Sequence, residues 1–240
     1  MKVIVCGSIG FGGLEKIREV QRALKEAGIL VYDHISEENM DYSQIDDFRD
    51  KFNLAKTIVE HDLKYVDKCD VVVILADRPS FGTAMEMYYA YQKNKVIITY
   101  AANKLPTPWP VYFSHYIAKS LNTLIRVLRN RDFEFIWGFL KAYARRSKVI
   151  YTLSKKVENE IKSVTEDKII VLSKEGKGIL REIYKQDFKF AWDKFIKSDL
   201  LTLDDLSPEL HGRKAIVMAF LATLPFVEVL STPKLGLQFR

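Results

Sequence analysis

At 240 residues the chain has material for one large domain or two small ones, with enough length for a sizeable core. Its 48% hydrophobic and 28% charged residues are those of a soluble globular protein, and no apolar run reaches the ~18 residues that would cross a membrane. The net charge of +6 is uneven: residues 1–100 hold 13 Lys/Arg against 16 Asp/Glu, and the remainder 24 against 15.

Much of the excess falls in residues 101–146, where the cations from Lys104 to Arg146 are opposed only by Asp132 and Glu134. Such a stretch attracts phosphates, on a nucleotide or a nucleic acid, or is simply a solvated surface. The opening MKVIVCGS is too short and too soon interrupted by glycine to be a signal peptide. Cys6 and Cys69 each adjoin a predicted strand and show no metal-ligand spacing, which makes them buried, reduced thiols in a chain expected to be cytoplasmic.

The first hundred residues alternate between two periodicities. Strand KVIVCG leads to helix LEKIREVQRALKEAG, which Gly28 ends, and then to strand ILVYDH. A polar loop precedes the long helix DFRDKFNLAKTIVEHDLKYVDKC, followed by strand DVVVILA, helix GTAMEMYYAYQKNK and strand KVIITYA. Nearly all-apolar strands separated by amphipathic helices predict a parallel sheet covered on both faces. Ligands bind beyond the carboxyl ends of such strands, so loops 7–13, 33–47 and 77–83 matter most.

The proline-marked loop NKLPTPWP then leads to a predicted helix YFSHYIAKSLNTLIRVL, a fifth strand DFEFIW and helix GFLKAYARR. This places a domain boundary at 146–147. Residues 147–240 read as a smaller, mostly helical domain that ends in a short strand, helices and a hairpin of Phe226–Leu230 with Leu235–Phe239 around a Ser-Thr-Pro-Lys turn. That order suits a winged helix, and equally a helical domain for dimerisation or active-site closure. Helix GRKAIVMAFLATL is too apolar in its middle for a groove reader and is expected to be buried, so nucleic acid is not the favoured partner.

Two features carry chemistry. GSIGFGG, residues 7–13, lies between strand and helix but matches neither the dinucleotide fingerprint nor the P-loop, since Glu15 and Gly13 stand where a glycine and a lysine are required. It can still bring backbone N–H groups to a sugar or phosphate. Glu86 lies one turn into a helix that starts after a buried strand. Thr83-Ala-Met-Glu86 fits a capping box, and the helix dipole would favour an ionised Glu86, as a carboxylate nucleophile requires. Asp62, four residues after Ile58 and four before Val66, borders an apolar stripe. If it points over the sheet towards Glu86, the pair is that of glycosidic chemistry.

CGSI after the first strand, HDL before DVVVILA, and PSFGTAME together resemble the nucleoside 2-deoxyribosyltransferase family. Within it, residues 1–145 are most similar to the 2′-deoxynucleoside 5′-monophosphate N-hydrolases. The resemblance implies a flavodoxin-like (Rossmann-like) five-stranded parallel sheet and a homodimer whose sites borrow residues across subunits. It implies Glu86 as nucleophile and Asp62 as its acid/base partner. Gly7, Ser8, Ile9, Gly12, Ser80, Gly82 and, through the partner, Asn122 would contact a nucleotide or nucleoside. Ser8 and Ser80 match phosphate-binding serines, and no metal or cofactor is implied. Two residues depart from the pattern: Gly10 stands where an arginine is usual, and Ile4 where a tyrosine helps to position the nucleophile. The readings therefore left open are monophosphate hydrolysis, base exchange between deoxynucleosides, and non-catalytic nucleotide sensing.

Overall fold

The apolar runs behave as their composition demands. In a computed structural model, β1 (Lys2–Cys6), β2 (Leu30–Tyr32), β3 (Val71–Leu75), β4 (Val96–Tyr100) and β5 (Tyr116–Ala118) form one all-parallel sheet. Its order is β2-β1-β3-β4-β5, the flavodoxin-like arrangement. The chain is described throughout except at residues 11, 38, 39, 79, 106, 131, 175–177, 225, 232, 233 and 240. Pro79, Pro106, Arg131 and the Thr232-Pro233 turn therefore lie outside the described residues.

Every residue of β3 and β4 is buried, so both faces of these strands need cover. Helices α1 (Leu14–Glu26), α2 (Phe52–Lys68), α3 (Phe81–Gln92), α4 (Trp109–Phe113) and α5 (Leu121–Asn130) accompany the sheet. α1 turns Leu14, Ile17, Val20 and Leu24 inward, and Gly28 ends it at φ +80°. On the other helices, Tyr65, Val66, Met87 and Ala90 pack with Ile4, Val72, Ile74 and Ile97 in one core cluster. Each fully buried aliphatic side chain contributes roughly 1.5–3 kcal/mol before conformational entropy is counted.

Beyond β4 the elements differ from the sequence reading. The expected helix from Tyr112 breaks at Ser114, which is extended at ψ 149°. Residues 116–118 become the fifth strand and the helix resumes at Leu121. DFEFIW is not a strand. It opens α6 (Phe133–Arg146), which buries Phe135, Ile136, Phe139 and Leu140 at helical spacing. The chain divides into two compact units, Met1–Asp132 and Phe133–Arg240, so α6 belongs to the second unit, one helix earlier than the expected boundary.

The second unit is not mostly helical. β6 (Val149–Tyr151), β7 (Glu158–Val164), β8 (Lys168–Ser173) and β9 (Ile179–Tyr184) form an antiparallel sheet in chain order. α7 (Lys185–Ser198) follows, then β10 (Leu200–Thr202), α8 (Lys214–Leu221), β11 (Val227–Leu230) and β12 (Gly236–Phe239). The expected terminal hairpin forms as β11 with β12, and β10 joins it as a third strand. Trp192, Phe195, Phe226 and Phe239 pack ring against ring, with Phe195 stacked on Phe239 at 4.1 Å. α8 buries Ile216 through Leu221, in keeping with its apolar middle. Among the described residues, no helix is long and apolar enough to cross a membrane.

Candidate active site

The first unit changes strand direction of addition between β1 and β3, and ligands of such sheets bind at the carboxyl ends flanking that point. The loop after β1 is shaped for close approach. Gly12 has φ +74°, and a Cβ on Gly13 would collide with the carbonyl oxygen of Ser8. A Cβ on Gly7 would press on Ile17 and Leu75 at 3.1–3.2 Å. Ile9 is buried beneath the loop, and the Ser8 hydroxyl donates to the Gly10 carbonyl at 3.1 Å. The Arg78 guanidinium, from the loop after β3, lies 3.6 Å from where a Gly12 Cβ would stand. A cation therefore borders the glycine loop although Gly10 provides none.

α3 begins where β3 ends. Ser80, not Thr83, is its N-cap: the Ser80 hydroxyl accepts from the Thr83 amide at 3.4 Å. Glu86 consequently sits in the second turn and takes no part in the cap. It belongs to the buried stripe Thr83, Glu86, Met87 and Ala90, positions that helical spacing turns to the core. Gly82 is exposed, and among the described residues only the Ser80 hydroxyl lies within 4 Å of its missing side chain.

Asp62 and Glu86 do meet. One oxygen of each carboxyl and one ring nitrogen of His34 all lie within 4.8 Å of one another, a spacing that couples their charges and could hold a metal ion. His34 comes from the loop after β2 and is 2% exposed; its Nδ1 has no hydrogen-bond partner among the described residues. The neighbouring His61 lies 3.2 Å from Asp62, Nδ1 to Oδ1, and its ring centre is 4.8 Å from that of Tyr65.

Burial dominates the electrostatics. It pushes the Glu86 carboxyl up to about 8, with help from the Asp62 charge and against the Cys6 thiol, which hydrogen-bonds the carboxyl. The helix dipole does not keep Glu86 ionised, because the group lies beyond the first turn in a desolvated place. Burial also raises Asp62, against the opposing pull of His61. Burial and the His61 charge depress His34 to about 4, which leaves its ring neutral. The Tyr42 phenol is raised by burial and then by Asp62, Glu86 and Cys6, so a hydroxyl stands within electrostatic reach of both carboxyls although Ile4 offers none. Two interacting carboxyls of this kind titrate as a pair.

Asn122 is exposed in the first turn of α5. His34, Tyr42 and Arg78 were not singled out from sequence. The signal for His34 was its place directly after an apolar strand, in one of the three loops that the sheet makes important.

A parallel sheet with a glycine loop and a buried carboxyl pair at its carboxyl ends defines an α/β enzyme site. The family model for nucleoside 2-deoxyribosyltransferase matches residues 5–167, and the chain belongs to that family of enzymes, which act on the glycosidic bond of nucleosides. Among solved structures, the chain is similar to a 2-deoxyribosyltransferase from the psychrotolerant bacterium Bacillus psychrosaccharolyticus. The two share 14% identity over 52% of this chain and 90% of that one, with a TM-score of 0.43. It is also similar to the Clostridium botulinum CMP N-glycosidase, at 19% identity over 55% of this chain and 100% of that one, with a TM-score of 0.35. No curated protein matches the chain.

Proposed function

We propose that the protein hydrolyses the N-glycosidic bond of 2′-deoxynucleoside 5′-monophosphates through a deoxyribosyl-enzyme intermediate. The observation that carries this reading is the Asp62–Glu86 pair, whose oxygens lie within 4.8 Å. Retaining glycosidases hold their carboxyls about 5–5.5 Å apart, whereas inverting ones leave about 6.5–9.5 Å for a water between them. The short spacing favours covalent attack.

A pair carrying one proton supplies both reagents. In the empty site Glu86 holds the pair's proton. As substrate binds, that proton passes to Asp62, and ionised Glu86 attacks C1′ while Asp62 gives the proton to the departing base, so the C–N bond breaks as the C–O bond to Glu86 forms. Asp62, now ionised, takes a proton from water. The hydroxide adds to C1′ and Glu86 leaves as a carboxylate. Neutral His34 steadies the shared proton, and the Tyr42 phenol donates to the nucleophile in place of the family's tyrosine. The route uses carboxylates throughout and invokes no metal, so a chelator leaves its rate unchanged.

The phosphate is assigned to Ser8, Ser80 and Arg78 around the glycine loop. Gly7, Ile9, Gly12 and Gly82 admit the sugar and phosphate by keeping the backbone close. Phe81, Trp109 and Tyr112 are 97%, 62% and 65% exposed on α3 and α4, an apolar surface suited to a homodimer that would also bring in the partner's Asn122. A cytoplasmic setting fits the two free, buried thiols.

The test is release of free base from each of the four deoxynucleoside monophosphates, with Glu86→Ala expected to abolish it. Full activity in that variant rejects the mechanism. Base exchange is the second reading, because it shares the same intermediate and the family contains it. A new deoxynucleoside formed when a second free base is supplied would identify it.

A further inference from the structure

The second unit contains a cavity of about 600 Å³, a volume typical of small-molecule sites. Its lining includes Asn159 and Ser173, which face each other across β7 and β8 and are 0% and 5% exposed. The Asn159 amide donates to the carbonyls of Val157 at 2.9 Å and Ile150 at 3.3 Å, which fixes the way it is turned. Its Oδ1 is buried and accepts from no described group. Buried amide oxygens are nearly always paired, and an orphan at the wall of a cavity is explained by a donor that arrives with a ligand.

The remaining lining separates into two kinds of surface. Leu153, Leu203, Ile216 and Met218 supply apolar walls. Lys155 and Lys214 supply positive charge and His211 a ring N–H donor, with Lys155 and His211 exposed. Lys214 and Ala215 are the first residues of α8, whose N-terminal end favours an anion and whose N-cap Arg213 makes no side-chain capping bond. Gly212, also in the lining, has φ +73°, and a Cβ there would lie 2.8 Å from the Arg181 guanidinium. Arg181 adds a further cation behind this wall, and its buried Nε has no partner among the described residues.

We propose that this cavity binds a mononucleotide. A flat base carrying an N–H donor lies between the apolar walls with that N–H directed at Asn159 Oδ1, and the phosphate meets Lys155, His211 and Lys214 at the start of α8. The proposal is independent of the chemistry at Glu86, since every group in it belongs to the second unit.

The experiment is isothermal titration of the full chain carrying Glu86→Gln, to prevent turnover, with AMP, GMP, CMP and UMP. Inorganic phosphate and the four nucleosides are titrated separately. The expected result is a nucleotide binding event that Ala215→Phe removes by filling the cavity. Lys155→Glu, an exposed change that leaves folding intact, weakens the same event at least tenfold, while Arg78→Gln does not affect it. Three results would overturn the proposal: no event sensitive to either cavity variant, equal binding of inorganic phosphate alone, or binding at this cavity only by a single-stranded oligonucleotide. Loss of base release in Glu86→Ala tests the other site and bears on neither outcome.

Discussion

The two units bury polar groups in opposite ways. The first hides groups that titrate, His34, Asp62 and Glu86, beside a sheet whose central strand β3 is apolar and buried throughout. The second hides a neutral amide, Asn159, on a strand where buried and half-exposed residues mix. A buried carboxyl can relieve its desolvation by holding a proton, so the first unit couples stability to pH and stores an acid for chemistry. A buried amide has no such escape, and only a hydrogen-bond partner relieves it.

The largest way to sharpen this contrast is to remove the stored acid. Asp62→Asn is expected to lower base release by about 10²–10⁴-fold, the usual worth of a positioned general acid. Wild-type activity should fall as pH rises through about 8, where the pair gives up its remaining proton. In Asp62→Asn that alkaline limb flattens, because the proton it reports is no longer used. An unchanged pH profile in the variant would mean that the acid lies elsewhere, with His34 the nearest group.

Stability gives the next effect. The Glu86 carboxyl is raised in the folded chain from the ordinary value of 4.5 to about 8. Below 4.5 both folded and unfolded chains hold the proton and the group costs nothing. Between 4.5 and 8 the unfolded chain loses it first, so stability falls with rising pH, and above 8 the full penalty is present. Glu86→Gln should therefore match wild type near pH 4 and melt roughly 4 °C or more higher at pH 9. Asn159 predicts no such dependence, and a pH-independent difference at Glu86 would erase the contrast between the units.

The same contrast explains what could be read from sequence. β1, β3 and β4 were legible because strands buried on both faces are apolar at nearly every position. β7 to β9 mix charges into short runs such as ENEIKSV and ILREIY, where the buried positions are too few to separate one period from another. DFEFIW failed for the converse reason. Its alternation holds for only a few residues, whereas the buried set Phe135, Ile136, Phe139 and Leu140 becomes visible only over the longer helix. Glu86 was legible from its place one turn into the helix that follows a buried strand, and from the family match. Its raised carboxyl was not, since that depends on Asp62 and on burial that only the assembled helices produce. Ser80 was legible as a family match, but its capping role fell to Thr83 because both residues are good N-caps three positions apart.

A smaller effect is expected at Arg78, whose guanidinium borders Gly12. Arg78→Gln should raise the KM for a deoxynucleoside monophosphate by about tenfold, the loss of one charge-assisted contact, and leave the free deoxynucleoside almost unaffected. An equal change for both substrates would remove Arg78 from the phosphate site.

The smallest effect lies at Ser80, where two roles rest on one hydroxyl. As the N-cap of α3 it accepts from the Thr83 amide, and as a phosphate ligand it would donate to substrate. Two substitutions separate the roles. Alanine at an N-cap costs about 1 kcal/mol, whereas glycine costs only a few tenths, since its backbone exposes the free amides to water. Both lose the donor equally. Ser80→Ala and Ser80→Gly should therefore differ in urea midpoint, with alanine the less stable, yet show the same rise in KM for the monophosphate. If KM instead follows stability, the hydroxyl only holds the helix start, and the phosphate rests on Ser8 and Arg78.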